Sequence, residues 1–379
     1  MLILIENGEI YAPEKRGENS ILIAAGKILK VGRIDRQALE TLHVSVDVID
    51  ASDCVVVPGL IDPHEHLLGG SGEKGFASQT PAISATELIS AGITTVVGCL
   101  GVDTTMKTMP GLLAKAKGLK EENLSAFVWT GGYNVPPTTL SDSIKNDIMF
   151  IEEIIGAGEV AISDERSTDP EPHELARLAS DARNGGMLAK KCGLTHFHVG
   201  EESNRLKLLN ILIDEFKTPA ESLYPTHIQR SEELMKEAIA LAKRGSFVDI
   251  DTVDQDLAKW FGFYLENGGD LKKLTASSDA SINSPRALFD QIRSCVLEDK
   301  FALEQALQIV TANTAAALKL ENKGVLEAGK DADVLVLRKE SLEIKDVIAN
   351  GKRLFKNGRL AFKEKFLEGS NRTVNLKGD

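Results

Sequence analysis

The sequence has few cysteines, no long apolar run and no excess of basic residues. Its four cysteines are far apart and form no CxxC pair, which excludes the disulfide framework of a small secreted domain and a thiolate zinc site. No stretch approaches the roughly 18 apolar residues of a membrane span, and the opening apolar run is too short for a signal-peptide core. We therefore expect a cytoplasmic protein with no membrane partner.

Charge and composition narrow the class of protein further. Lysine and arginine total 44 of the 379 residues and aspartate and glutamate 56, which gives a formal net charge of −12. This balance argues against a nucleic-acid partner, because no broad basic face could neutralise phosphates. Hydrophobic residues at 42% and charged residues at 26% are typical of a globular protein and exclude a disordered chain.

Both ends of the sequence are expected to be rich in β-hairpins. An Asn7-Gly8 turn follows the first expected strand, and Asn350-Gly351 and Asn357-Gly358 turns separate strands near the other end. We expect the two ends to pair into one small β-sandwich domain of residues 1–57 plus 324–379. The strands expected there are 2–5, 21–24, 28–31, 44–49, 54–57, 334–337, 344–349 and 353–355.

The middle of the sequence alternates short apolar runs with amphipathic helical stretches such as 144–155, 174–189, 232–243 and 285–297. Eight strand candidates in residues 58–323 predict an α/β fold, a (β/α)8 TIM-like barrel. An open doubly wound sheet is the alternative, but it usually has fewer strands, and no G-x-G-x-x-G follows the first strand. The eight candidates are 60–62, 93–97, 126–130, 159–163, 195–198, 224–227, 247–250 and 274–278.

Histidines and one aspartate fall at the ends of the expected strands. His64 and His66 end the first strand and share one face, so both imidazoles can reach one metal. His227 ends the sixth strand and Asp279 the eighth. Strand ends of a barrel meet at one rim, where barrel enzymes keep their sites, so this convergence predicts a metal site.

The fifth strand leaves a choice between two histidines. His196 and His198 share a face, and either could be the ligand; we take His198 because it lies nearer the end of the strand. His43 and His173 are expected to be surface residues.

Together with these strand-end residues, several longer motifs make the sequence resemble the amidohydrolase superfamily and, within it, the isoaspartyl dipeptidase (β-aspartyl peptidase) family. The resemblance covers nearly the whole chain. Its superfamily motifs are Val57-Pro-Gly-Leu-Ile-Asp-Pro-His-Glu-His, the strand-end histidines with Asp279, and Gly324-Val-Leu-Glu-Ala-Gly-Lys-Asp-Ala-Asp-Val-Leu-Val. Its family motifs are Gly69-Gly-Ser-Gly-Glu-Lys-Gly, Thr130-Gly-Gly-Tyr-Asn-Val-Pro, Ala161-Ile-Ser-Asp-Glu-Arg-Ser and Pro225-Thr-His-Ile-Gln-Arg.

The resemblance implies a cytoplasmic metallopeptidase that hydrolyses β-aspartyl dipeptides with a metal-bridging hydroxide. It implies two zinc ions per subunit and a homo-oligomer such as an octamer. The ligands would also accept cobalt, manganese or nickel. One ion would be held by His64, His66, Glu159 and Asp279, and the other by Glu159, His198 and His227.

Glu159 departs from the family pattern. Better-known members have a carboxylated lysine at this position, which bridges the two metals. A carbamate and a carboxylate both offer one negative charge over two oxygens, so either could bridge. Glutamate is shorter, and Gly158 would permit the closer backbone approach that it needs. The alternative is that the bridge is lost and one metal position is weakened.

The resemblance also assigns roles in catalysis and substrate binding. Asp279 would be the general base and Tyr133 a donor to the oxyanion. Glu73 would hold the substrate's α-amino group, Arg230 the aspartyl α-carboxylate and Arg166 the C-terminal carboxylate.

The resemblance also implies a substrate contact from a serine in the loop after Asp279. Ser284 is our assignment, with Asn283 as the alternative.

Two other functions compete with this reading. Another amidohydrolase, a cyclic-amide hydrolase or an N-acyl amino acid deacylase, would share every metal ligand. A non-catalytic scaffold would have lost the site, and the apparently intact ligand set counts against it.

Overall fold

The computed structural model describes residues 2–41, 43–70 and 73–371. Ser71 and Gly72 of the glycine-rich motif, and residues 372–379 of the expected sandwich domain, lie outside the described residues. No helix in the described part is both long and apolar enough to cross a bilayer.

Strands from both ends of the chain form one nine-stranded sheet, which confirms the expected pairing of the two ends. Cys54–Pro58 pairs antiparallel with Val334–Arg338, with Pro58 opposite Val334. The strands are β1 (Leu2–Tyr11), β2 (Lys15–Ala24), β3 (Lys27–Gly32), β4 (Val46–Asp50), β5 (Cys54–Pro58), β14 (Val334–Arg338), β15 (Ile344–Ala349), β16 (Lys352–Lys356) and β17 (Arg359–Leu360). Two short helices, α1 (Arg36–Glu40) and α12 (Lys365–Glu368), lie near the ends of the chain.

This sheet folds over a core of its own and also packs against the barrel. Along β14, Val334 and Val336 point into the core of the sheet, whereas Leu335 and Leu337 join the core shared with the barrel. The period-two alternation of buried residues thus serves two cores. The domain boundaries at 57/58 and 323/324 stay a prediction.

The first strand differs from the expectation. β1 continues through Asn7 and Gly8 to Tyr11, so the expected turn there is wrong. The pairing with β2 shifts register between Ile5 and Gly8, with Asn7 at φ 62°. A Cβ on Gly8 would approach Val56 Cγ2 to 2.5 Å, so close packing on β5 uses this glycine inside a bulged strand.

Eight parallel strands form the barrel, and all eight expected strands are present. The first six of them make a six-stranded sheet, and the last two pair with each other. Backbone hydrogen bonds from Asp279 to His64 and from His66 to Ala280 join the last strand to the first. The strands are β6 (Leu60–Glu65), β7 (Ile93–Gly98), β8 (Ser125–Thr130), β9 (Ile154–Ile162), β10 (Thr195–Val199), β11 (Leu223–Thr226), β12 (Val248–Asp251) and β13 (Leu274–Ser277).

Helices connect these strands and cover the outside of the barrel. They are α2 (Ala85–Ser90), α3 (Met109–Glu121), α4 (Ile144–Phe150), α5 (Pro172–Ala189), α6 (Lys207–Asp214), α7 (Glu232–Lys243), α8 (Leu257–Glu266), α9 (Arg286–Leu297), α10 (Leu303–Gln308) and α11 (Ala312–Ala317). Short 3-10 turns occupy Phe76–Ser78, Ala220–Ser222, Ile228–Arg230 and Leu271–Lys273.

Helix α4 is shorter than the expected 144–155, and β9 starts earlier than expected. The backbone is extended at Ile151, and Ile154 already pairs with Val128 of β8. The Lys191 ammonium donates to the carbonyl oxygens of Ile148, Ile151 and Ile154. These carbonyls are therefore satisfied without helix hydrogen bonds, which lets the helix end early.

Candidate active site

The residues expected to bind metal come together at the rim where the eight strands end. His66 and Asp279 keep 15% and 17% of their side chains exposed, and the other four are almost fully buried. The six are His64 in β6, His66 directly after it, Glu159 in β9, His198 in β10, His227 after β11 and Asp279 after β13.

A bulge in β9 brings Glu159 into this cluster. Two residues of β9, Gly158 and Glu159, lie opposite one residue of β10, His196. Gly158 has φ 141°, and a Cβ there would come within 2.6 Å of the His196 carbonyl oxygen. Only glycine fits this close approach, and bulges commonly redirect a side chain beside an active site.

The two carboxylate oxygens of Glu159 face two pairs of histidines. Oε1 lies 2.8 Å from His198 Nδ1 and 3.3 Å from His227 Nε2. Oε2 lies 3.3 Å from His64 Nε2 and 3.8 Å from His66 Nε2. We call the His64 and His66 side the first metal position and the His198 and His227 side the second metal position.

Unpartnered polar atoms at the first metal position test whether a cation fits there. Asp279 Oδ1 lies 3.4 Å from His64 Nε2 and 3.1 Å from His66 Nε2. In the part of the chain that the structure describes, both ring nitrogens of His64, Glu159 Oε2 and Asp279 Oδ1 are buried without a hydrogen-bond partner. Buried polar atoms are rarely left unsatisfied, so these facing donors fit a divalent metal ion.

The charges of the site shift the pKa values of its members. Burial alone would raise the pKa of Glu159, but the nearby positive charges of His64 and His198 hold it well below its usual range. Burial would lower the pKa of His227, but the Asp251 carboxylate outweighs burial and raises it to about 9. Glu159 is therefore ionised and ready to bind cations.

Carboxylates hold both histidines of the second metal position. Asp164 Oδ2 lies 3.0 Å from His198 Nε2, and Asp251 Oδ2 lies 2.6 Å from His227 Nδ1. Gln229 Nε2 donates a hydrogen bond to the same Asp251 oxygen. A carboxylate on the second ring nitrogen fixes the orientation and tautomer of a ligating histidine.

The two arginines expected to bind carboxylates lie beside the second metal position. Arg166 donates to both oxygens of Asp164, at 2.8 and 2.9 Å, and to Glu73 Oε1 at 2.8 Å. Arg230 Nη2 lies 3.4 Å from His198 Nε2, and Arg166 Nη2 lies 3.1 Å from the same atom. Positive charge is therefore concentrated next to the metal ligands, partly balanced by Asp164 and Glu73.

Tyr133 contacts the same histidine from the third-strand loop. Its hydroxyl lies 2.8 Å from His198 Nδ1, and the Arg166 guanidinium lies over its ring, 5.2 Å from the centroid. Burial and the Glu159 charge raise the pKa of Tyr133 well above its usual range. The hydroxyl therefore keeps its proton and can donate a hydrogen bond.

Two adjoining cavities, of about 900 and 540 Å³, open onto these residues. Asn283 lines the smaller one and donates to the Val253 carbonyl. Ser284 does not line either cavity, and its hydroxyl accepts a hydrogen bond from the Arg286 amide. Residues at the junction of the cavities are Glu73, Arg166, Arg230, Val253 and Asp279.

Several residues of the site had no role assigned from sequence. Asp164 lies inside a family motif and Asp251 ends a strand, so strand-end position could have indicated both. Cys99 directly follows β7 at the same rim, although cysteine spacing gave no reason to select it. His196 Nδ1 lies 3.1 Å from the Tyr224 carbonyl oxygen, whereas His198 contacts Glu159.

Comparison with known proteins agrees with this architecture. The model of the Amidohydrolase family matches residues 55–354. The chain belongs to the amidohydrolase family. A solved structure of a β-aspartyl dipeptidase from the thermophilic, keratin-degrading Fervidobacterium islandicum AW-1 is 36% identical, with a TM-score of 0.91 and full coverage of both chains. A second structure of that enzyme, in complex with β-Asp-Leu, is 35% identical with a TM-score of 0.89 and the same coverage. The resemblance to the isoaspartyl dipeptidase family is therefore confirmed.

Curated amidohydrolases are more distant relatives. Adenine deaminase 1 of Latilactobacillus sakei is 22% identical over 374 residues, which cover 95% of this chain and 57% of the deaminase. A dihydroorotase of Clostridium acetobutylicum is 27% identical over 190 residues, 48% of this chain and 39% of that enzyme. The matched part of this chain thus spans only 57% and 39% of their lengths.

Proposed function

We propose that the chain is a metal-dependent dipeptidase that hydrolyses β-aspartyl (isoaspartyl) dipeptides. The observation that carries the proposal is Glu159, whose two oxygens face two histidine pairs within reach of Glu73, Arg166 and Arg230. Such a cluster combines metal-binding groups with charges that match a zwitterionic dipeptide. The full-length similarity to a β-aspartyl dipeptidase supports it.

The proposed cofactor is a pair of zinc ions per subunit. His64, His66, Glu159 and Asp279 would hold one ion, and Glu159, His198 and His227 the other. Bound there, the ions would polarise the scissile carbonyl and lower the pKa of a water held between them. The short side chain of Glu159 would serve as the bridge, because the β9 bulge moves its backbone toward the histidines.

Asp279 and Tyr133 are the proposed catalytic residues. The Asp279 carboxylate would accept the proton of the attacking water and pass it to the leaving amine. The Tyr133 hydroxyl would donate a hydrogen bond to the carbonyl oxygen as negative charge develops on it. Its buried, protonated state suits that role.

Substrate selection would depend on charge pairing. An isoaspartyl residue has both its α-amino and its α-carboxylate group free, since the scissile amide comes from the side-chain carbon. Glu73 would bind the amine and Arg230 the α-carboxylate, while Arg166 takes the C-terminal carboxylate. Glu73 and Arg166 pair with each other in the structure, so a dipeptide would replace one ion pair by two. Ser284 or Asn283 is proposed as an additional contact.

A hydrolysis panel on metal-loaded protein tests the proposal. β-Asp-Leu, α-Asp-Leu, dihydroorotate and N-acetyl-aspartate are compared at equal concentration, and β-Asp-Leu should be cleaved with much the highest kcat/KM. Preferred cleavage of dihydroorotate would instead support a cyclic-amide hydrolase, which the dihydroorotase relatives make the second candidate. N-acetyl-aspartate cleavage would indicate a deacylase. A protein that binds little zinc and cleaves none of them would be a scaffold.

Assembly as a homo-oligomer and location in the cytoplasm stay predictions. Size-exclusion chromatography with light scattering measures the first directly.

A further inference from the structure

Cys99 lies beside the first metal position without a role in the proposed mechanism. The residue is 1% exposed and directly follows β7 (Ile93–Gly98). Its sulfur lies 3.8 Å from His66 Nδ1 and 3.6 Å from the Glu65 carbonyl oxygen. One donor atom from each of His64, His66, Cys99 and Glu159 lies within 4.8 Å of the corresponding atoms of the other three.

The imidazole of His64 points independently to a ligand at this position. It is completely buried, and neither of its ring nitrogens has a hydrogen-bond partner among residues 2–41, 43–70 and 73–371. An imidazole buried in that way costs free energy unless another group satisfies it. His64 and Cys99 belong to the same cluster of potential metal ligands.

The spacing of the donor atoms suits a zinc ion that has Cys99 as a ligand in addition to those of the proposed function. Zinc bonds of about 2.0–2.3 Å place the ligand atoms around a tetrahedral ion about 3.3–3.8 Å apart. His64 Nε2 and Glu159 Oε2 are 3.3 Å apart, and Cys99 Sγ lies within 4.8 Å of one donor atom of each of His64, His66 and Glu159. Two histidines, a cysteine and a carboxylate are all ordinary zinc ligands.

We propose that Cys99 is a ligand of the metal ion at the first metal position, an assignment that rests on the metal centre of the proposed function. A sulfur–metal bond forms as the S–H bond breaks, and the thiol proton passes to solvent. A thiolate is a soft ligand that favours zinc or cobalt over manganese. Cys99 therefore makes the first metal position selective among the metals that histidine and carboxylate ligands alone would accept.

Spectroscopy of the full-length protein tests this assignment directly. Cobalt is added to the metal-free chain, and a thiolate-to-cobalt charge-transfer band is expected in the near ultraviolet, saturating at one ion per chain. Cys99→Ser should abolish the band and weaken binding of that ion by more than about 100-fold, beyond the 10–100-fold loss typical of an outer partner of a ligand.

Cys192→Ser is the matched control. Cys192 is also buried, but it precedes β10, and its sulfur donates to the Ile155 carbonyl. That variant should keep the band and the affinity. X-ray absorption of the zinc-loaded wild type should show one sulfur about 2.3 Å from zinc. This measurement decides the question alone if Cys99→Ser does not fold.

Other outcomes overturn the assignment. Only nitrogen and oxygen neighbours around the metals, or a Cys99→Ser protein with unchanged spectrum and affinity, would exclude Cys99 as a ligand. A 10–100-fold loss of affinity without a charge-transfer band in the wild type would show that Cys99 only orients His66. Cleavage of β-Asp-Leu by a protein without sulfur coordination overturns this assignment but not the proposed function. Sulfur coordination without such cleavage overturns the proposed function alone.

Discussion

The two metal positions share Glu159 and differ in what supports their histidines. At the second position, Asp164 and Asp251 each contact the far nitrogen of a histidine, at 3.0 and 2.6 Å. At the first position, His64 has no hydrogen-bond partner in the described part of the chain. Similar ligands therefore lie in different surroundings on the two sides of one carboxylate.

This difference indicates at which position the histidine side chains are oriented before a metal binds. A carboxylate on the outer nitrogen fixes a ligating imidazole in one orientation and increases its basicity. Burial would lower the pKa of His227, yet Asp251 raises it to about 9, so a metal ion must displace a proton there near neutral pH. The histidines of the second position are held in place by neighbouring carboxylates, whereas His64 of the first would be held by the ion of the proposed metal centre.

Removing the shared ligand should produce the largest effect. Glu159→Ala deletes a side chain that faces both positions, so we expect both to lose affinity and kcat/KM to fall more than about 10⁴-fold. Metal analysis after dialysis and steady-state kinetics measure the two losses. Glu153→Ala, which changes a buried glutamate just before β9 that is paired with Lys117 and Lys120, serves as the control and should keep both metals.

The effect of bicarbonate on the wild type separates a glutamate bridge from a lysine carbamate. Bicarbonate should not affect reconstitution of the metal-free wild type, because Glu159 needs no carbon dioxide. Recovery of activity that depends on bicarbonate would contradict this prediction.

Asp279→Asn changes only the first position. The amide keeps the size of the side chain but cannot accept the proton of the attacking water, so kcat should fall by about 10²–10⁴-fold. The Michaelis constant should change much less, because substrate charges are bound elsewhere. Near-normal turnover in a variant with a full complement of metal would rule Asp279 out as the general base.

Arg230→Met tests the substrate-binding side of the second position. Losing a charge-assisted contact in a desolvated pocket costs about 2–5 kcal/mol, or roughly 30- to several-thousand-fold in kcat/KM for β-Asp-Leu. Bound metal should not change. Arg244→Met, on an arginine paired with exposed Asp214, is the control. If the wild type cleaves α-Asp-Leu and β-Asp-Leu equally well, the reason for this assignment is removed.

Asp251→Asn should have the smallest effect and tests the comparison most directly. The amide carries no negative charge to support His227. Metal affinity at the second position should therefore fall about 10–100-fold, and metal affinity at the first should hardly change. Metal titration of both positions measures the difference. Asp254→Asn, in the exposed loop that follows, should leave both unchanged. Equal losses at the two positions would mean that they are not supported independently.

The barrel could be predicted from sequence because short, largely apolar segments alternate with amphipathic helical stretches. That the candidate ligands lie together could be predicted because strand ends must meet at one rim. The end of α4 could not be predicted, since it depends on Lys191, which lies about forty residues further along the chain. The prediction of a turn at Asn7-Gly8 was wrong because packing against Val56 favours a bulged strand. In both cases a tertiary contact outweighed the local preference, for helix in the first case and for a turn in the second.

The residues that contact the histidines of the site, such as Asp251 and Cys99, were not identified from the sequence. Spacing could bring His64 and His66 together, because they are neighbours on one strand. It could not pair His227 with Asp251 or His66 with Cys99, since each pair joins different strands and depends on side-chain direction. Ser284 was chosen by position in a loop, and the structure turns its hydroxyl to the start of α9 instead.

The pairing of β5 with β14 has a consequence for how this protein is made. The two strands are separated by about 270 residues, so β5 leaves the ribosome long before its partner exists. Until then β5, which pairs with β1 on one side, has an open edge on the other side, and unpaired edges invite association with other chains. Barrel formation in between brings the two segments close and replaces a search through a long flexible loop with a short one. Nascent chains stalled just before Val334 should therefore be the species most prone to aggregate during synthesis.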